Sequence, residues 1–367
     1  MSNPIYVLTN RTINERRKGL SLFGKVPSEK GPNELRVVEV TRQANGRYRA
    51  RALGDRLDKR TVKRLAEEND LALDPAEPHF ASLRVACDIF ARSRQEGKAV
   101  LLYVHGYNND IGDVLKTCER LEALYNVIVV PFSWPANGGG YVSGRAVYLS
   151  DKADARASAD ALNQAIRKFS SYFRLLTEQT LTKLEARAGR RHADNRMAGQ
   201  IAYTELIKRT CDLSLNLLCH SMGNYVLKYA LMPGSGASRD LVFDNVSLVA
   251  ADANNPHHAD WVRKIQVRKR LLIVINEEDY ALTMSRIKPG HEQKERLGQH
   301  LLGLTAGNAH YVNLTDAPGV GNQHSYFIEE TAGSMDERVR AFFQSAFTGE
   351  AAERGLTYRP SGNFYVV

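Results

Sequence analysis

Two periodicities alternate along this chain. Ala99 to Val104 (AVLLYV) and Val127 to Phe132 (VIVVPF) are unbroken apolar runs, which mark strands covered on both faces. Leu213 to Cys219, Val246 to Ala250, Leu271 to Ile275 and Tyr311 to Leu314 repeat the pattern further on. Between the runs, apolar positions recur every three or four residues. Phe80 to Glu96 carries them at Phe80, Leu83, Ala86, Cys87, Phe90 and Ala91. Ile111 to Tyr125 carries them at Val114, Leu115, Cys118, Leu121 and Leu124. These are amphipathic helices. Strands separated by helices predict a mostly parallel, doubly wound α/β sheet.

The ends of the chain read differently. Before residue 54 the pattern is strands and turns: Ile5 to Thr9, Leu35 to Val40, then an Asn45-Gly46 hairpin turn leading into Arg47 to Leu53. Residues 56–70 read as a charged surface helix. Asp336 to Phe347 predicts a closing helix, with Ser334 as cap and Glu337 completing a capping box. Asp151 to Arg187 is strongly helical, and Ala186 to Arg209 is basic and irregular, so residues 151–212 are expected to be an insertion or cap. Residues 348–367 are expected to be a tail.

Composition narrows the class. With 43% hydrophobic residues in 367, the chain can bury a large core and is not a disordered polymer. Four cysteines with no CxxC pair make no disulfide framework, so a reducing, cytoplasmic compartment is expected. The N-terminus lacks the charged and apolar regions of a signal peptide, and no apolar run nears the roughly 20 residues of a membrane helix. Lys and Arg outnumber Asp and Glu by 50 to 41, a net +9. That excess admits an anionic partner, with Arg187, Arg190, Arg191 and Arg196 in the basic insert as its contact, although a solvated basic face explains it equally.

The chemistry concentrates at Cys219-His220-Ser221-Met222-Gly223. This is the frame of a G-x-S-x-G nucleophile elbow with Cys in the first small-residue position, after a buried strand and before a helix. A serine at the tip of so sharp a turn occupies strained backbone, so Cys219 and Gly223 must be small. Val104-His105-Gly106-Tyr107-Asn108 also follows a buried strand. In α/β-hydrolases that loop gives one backbone N–H to the oxyanion hole and the residue after the nucleophile gives the other, here Tyr107 and Met222. Gly106 lets the backbone approach a substrate, and His105 is expected to shape the loop. Trp134, just past a strand end, is expected to line the pocket, or else to belong to the core.

Serine needs a base and an orienting acid downstream. After the strand ending at Ile275, Asp279 starts Asp-Tyr-Ala-Leu, a helix start whose N-cap carboxylate points back over the strands; Glu278 and Asp252 are its rivals. His324, in a Gly-rich loop after the last strand, is the expected base, while His310 is expected to be structural and His257, His258, His291 and His300 to lie on the surface. The histidines show no zinc-ligand spacing, so neither metal nor other cofactor is expected. A serine nucleophile argues against chemistry that needs a carboxylate there.

Thr9-Asn10-Arg11, His105 to Asn108, Phe132-Ser-Trp-Pro135, His220 to Gly223, Asp279 to Leu282 and His324-Ser-Tyr326 occur in this order. Together they resemble an uncharacterised, mainly bacterial family of α/β-hydrolase proteins, over about residues 4–346. The resemblance implies the α/β-hydrolase fold and agrees with the Ser221, Asp279 and His324 roles, but brings no substrate. Cys219 and the basic insert around 177–212 depart from the family pattern. The resulting expectation is one domain spanning 1–367: a serine hydrolase of esterase or lipase type acting on a small-molecule or lipid ester. An acyltransferase would use the same residues, and a catalytically weak hydrolase fold that docks an anionic partner is the alternative.

Overall fold

The apolar runs form the centre of one large sheet. A computed structural model describes residues 3–31, 34–136, 145–191, 197–198, 200–202, 214–231, 242–287, 294–329 and 333–367. In chain order the first strands are β1 (Ile5–Thr9), β2 (Arg11–Ile13), β3 (Phe23–Pro27), β4 (Arg36–Arg42) and β5 (Tyr48–Ala52). Helices α1 (Lys59–Asn69) and α2 (Ala81–Glu96) precede β6 (Ala99–Val104), α3 (Ile111–Leu124) and β7 (Val127–Ser133). Next come α4 (Arg145–Ala157) and α5 (Ala159–Arg191), then β8 (Leu215–His220) and α6 (Gly223–Ala230). The chain continues through β9 (Asn245–Val249), α7 (Ala259–Val262), β10 (Arg270–Ile275) and α8 (Tyr280–Ile287). It closes with β11 (His310–Asn313), α9 (Glu337–Thr348), β12 (Thr357–Arg359) and β13 (Phe364–Val366).

The main sheet runs β12-β13-β11-β10-β9-β8-β6-β7-β1-β4-β5, while β2 and β3 pair separately. From β1 through β7, β6, β8, β9, β10 and β11 to β13 every pairing is parallel. Only the edges, β1 with β4, β4 with β5 and β12 with β13, are antiparallel. This is the mostly parallel α/β sheet that the alternation predicts.

Strand periodicity divides the core in two. Val100, Leu102 and Val104 of β6 face α2, α5 and α6, packing with Val85, Ile89, Leu162, Phe169 and Val226. Leu101 and Tyr103 face the other way, against Val114, Leu115 and Leu121 of α3 and Phe343 and Phe347 of α9. The first part of α5 therefore belongs to the helical layer over the sheet: Leu162, Phe169 and Leu176 are buried, whereas Arg187 and Arg190 are exposed. Of the predicted insertion, 192–196, 199 and 203–212 lie outside the described residues, His192 and Arg196 among them.

Several expectations need correction. The cap of α9 is Asp336, whose Oδ1 accepts from Arg338 N at 2.9 Å; the helix begins at Glu337, too late for Ser334 to cap it. The expected tail instead folds into the β12–β13 hairpin and extends the sheet beside β11. His258 is buried, with Nε2 2.6 Å from Tyr311 Oη, and is not a surface residue. His291 lies outside the described residues.

Candidate active site

A parallel sheet delivers its strand ends to one edge, and β6, β8, β10 and β11 bring the predicted residues there. At the end of β8, Ser221 has φ +52°, a left-handed backbone in which a side chain is strained. Surrounding hydrogen bonds hold the turn. Ser221 N donates to Val249 O at 3.1 Å, and its carbonyl accepts from Asn224 N at 3.1 Å and from Asp252 N at 3.2 Å. The buried Asn224 amide donates to the carbonyls of Cys219, Ser221 and Val249. Gly223 permits the closeness: a Cβ there would stand 2.4 Å from Val104 O and 2.8 Å from His105 O. Cys219 is fully buried, and burial pushes its thiol pKa far up, so it fills space as a neutral group.

The loop after β6 lies directly against this turn. A Cβ on Gly106 would be 2.7 Å from Ser221 Cβ and 3.3 Å from its Oγ. His105 is buried; its Nδ1 lies 2.9 Å from Gly106 O, and its ring stacks on Trp134 at 5.2 Å. Burial, with Arg11 nearby, holds its pKa down to about 3, so the imidazole is neutral. Trp134 is wholly buried, its Nε1 donating to His105 O at 2.9 Å. Of the two expectations for Trp134, the core position holds and the pocket wall does not, because the side chain has no exposed surface and its indole N–H is hydrogen-bonded inside the fold.

Asp279 and His324 meet from separate strand ends. Asp279 Oδ2 accepts from His324 Nδ1 at 2.7 Å, while Oδ1 caps α8 by accepting from Leu282 N at 3.0 Å. Asp279 is completely buried and His324 is about one-quarter exposed. With Nδ1 carrying the proton toward the carboxylate, Nε2 is the basic nitrogen. Asn276 Nδ2 donates to Gly321 O at 2.8 Å, and Tyr326 Oη donates to Val274 O while accepting from Ala250 N, fixing the loop around His324.

The rival acids lie elsewhere. Glu278 is exposed. Asp252 is buried, 3.0 Å from Arg296 Nε, and accepts from Tyr148 Oη and Ser285 Oγ. Its oxygens are thus engaged beneath the turn.

Sequence reasoning missed two features. His220 lies between the rings of Phe327 and His324, at 4.9 and 4.7 Å, and its Nε2 donates to His324 O at 3.2 Å. Burial, with His324 beside it, pushes its pKa well below the usual histidine range. The second is α4. Asp151 Oδ2 accepts from Asn108 N at 3.3 Å, and the Tyr148 ring meets Tyr107 edge-on at 5.5 Å. Arg156 Nε donates to Tyr225 Oη at 2.7 Å. The helix therefore grips both the Gly106 loop and α6. A polar Asp151 three residues from Tyr148, on a face that also carries the buried Ala155, was the available signal.

Among the described residues no group of three or more His, Cys, Asp or Glu side chains could hold a metal ion, and no helix is long and apolar enough to cross a membrane. No curated protein and no solved structure matches the chain. A family model does match, over a segment that includes the Gly106 loop and α4 and stops short of Ser221. The chain carries the α/β-hydrolase fold, and its residues 86–174 match the family described as "Alpha/beta hydrolase of unknown function (DUF900)".

Proposed function

We propose that this protein is a serine hydrolase that cleaves a carboxylic ester. The observation that carries the reading is the 2.7 Å Asp279–His324 pair at the same sheet edge as a serine held at φ +52°. Strain of that kind persists only where the surroundings enforce it, and it presents Oγ at the tip of the turn.

In this mechanism His324 Nε2 takes the Ser221 Oγ proton as Oγ bonds to the ester carbonyl carbon. The carbonyl electron pair moves onto oxygen, and the N–H groups of Tyr107 and Met222 stabilise that oxyanion. Met222 precedes α6, where a helix leaves its first N–H groups unpaired. Collapse breaks the bond to the alkoxide, which takes the proton from Nε2. Water then repeats the sequence and releases the acid. Asp279 keeps the proton on Nδ1 and stabilises the imidazolium. His220 positions His324, and its own low pKa keeps it out of proton transfer.

The test is turnover of p-nitrophenyl esters from acetate to decanoate. Wild-type protein is expected to release p-nitrophenol catalytically and Ser221→Ala to fall to background. Turnover that survives in Ser221→Ala, or no turnover of any ester, amide or thioester, overturns the reading.

A further inference from the structure

Away from Ser221, a cavity of about 350 Å³ opens between the starts of α2 and α5 and the β1–β4–β5 edge. That is at the lower end of small-ligand sites, roughly 300–1,000 Å³. Its floor is apolar: Leu8, Val37, Leu53, Val85 and Phe169 all line it, and all belong to the buried core. Its rim is charged, and the charges are not equivalent. The two carboxylates are already engaged, Glu34 with Lys30 at 3.6 Å and Asp55 with Arg36 at 3.4 Å. The two cations are not. Lys168 Nζ stands over the Phe80 ring, 4.6 Å from its centroid, and Arg56 is exposed; neither has a carboxylate in ion-pair range among the described residues.

An apolar floor beneath two uncompensated cations is complementary to one kind of occupant. We propose that this cavity binds an aliphatic carboxylate, with the chain on the Leu8–Val37–Phe169 floor and the head group between Lys168 and Arg56. The floor supplies affinity through buried chain area and the two cations supply selection for an anion. None of the residues given above for the Ser221 site lines this cavity, so the proposal stands independently of the ester-hydrolase reading.

The test is calorimetric titration of the full chain, in a Ser221→Ala background that removes turnover, with decanoate below its micellar concentration. Saturable one-site binding is expected. Arg56→Gln combined with Lys168→Gln should weaken it roughly ten-fold or more, as for loss of hydrogen bonds to a charged group. Gln164→Trp, which places an indole in the cavity from the exposed side of α5, should abolish it while circular dichroism stays unchanged. Decyltrimethylammonium, with the same chain and opposite charge, should not bind. The proposal is overturned if decanoate shows no saturable binding, if both variants bind like the parent, or if the cationic amphiphile binds equally well. Decyl phosphate binding more than ten-fold tighter would overturn the assignment to a carboxylate.

Discussion

Replacing Gly106 with alanine tests the contact between the first loop and the nucleophile turn. Gly106 has an ordinary backbone conformation, so the substitution adds one methyl group and no torsional strain. That methyl would stand 2.7 Å from Ser221 Cβ, about 0.7 Å inside ordinary contact, with Ser221 Oγ at 3.3 Å and His220 Nδ1 at 3.4 Å. Neither side yields easily. His105 is pinned by Trp134, and Ser221 by its bonds to Val249, Asn224 and Asp252. Overpacking of this kind costs about 1–3 kcal/mol, so thermal unfolding should move down by a few degrees. Misplacing a reacting atom by about 1 Å costs on the order of 10²-fold in rate, so kcat/KM for the best p-nitrophenyl ester should fall by about that factor. Gly307→Ala is the control: no atom lies within 4 Å of its added methyl, and stability should hold or rise by about 0.5 kcal/mol. Wild-type kcat/KM and melting temperature in Gly106→Ala would refute the reasoning.

Two carboxylate substitutions should separate function from stability. Asp279→Asn can still cap α8, so its melting temperature should stay near wild type while kcat falls about 10³–10⁴-fold. Asp252→Asn removes the buried carboxylate charge 3.0 Å from Arg296 Nε and should cost about 3 kcal/mol or more in urea unfolding; the reverse pattern would move the acid role to Asp252. Asp154 carries a pH signature. Burial, with Asp151 beside it, raises its pKa from the ordinary 3.8 to about 6. A folded-state pKa above the unfolded value favours the fold when the group is protonated, and that contribution disappears as pH rises through about 6. Asp154→Asn should therefore gain stability relative to wild type between about pH 4 and 7, by about 1 kcal/mol after allowing for solvent screening. A difference that is flat with pH would show that the carboxyl titrates normally.

Much of the fold was legible because its signals are local. The runs at Ala99–Val104 and Val127–Phe132 are apolar at every position, and only a strand covered on both faces needs that. The chain order of Ser221, Asp279 and His324 likewise points to strand ends that a parallel sheet must bring to one edge. What stayed hidden depends on partners far along the chain. His258 looks like a surface histidine beside His257 and Asp260; its Nδ1 meets the nearby Asn255 O, but the buried partner of Nε2 is Tyr311, more than 50 residues away. The β12–β13 hairpin is exposed along β12 and short, so no amphipathic alternation announces it. Tyr148 and Asp151 gain their meaning from contacts with Tyr107 and Asn108, which helical spacing alone does not reveal.

The central claim is that Ser221 is an activated nucleophile. The most direct measurement is intact-protein mass spectrometry after treatment with a fluorophosphonate, followed by peptide mapping of the adduct. The account predicts one adduct per chain on Ser221, none on folded Ser221→Ala, and much slower labelling of His324→Ala, which lacks the base. An adduct that persists in Ser221→Ala, or a folded wild-type protein that stays unlabelled, would contradict it.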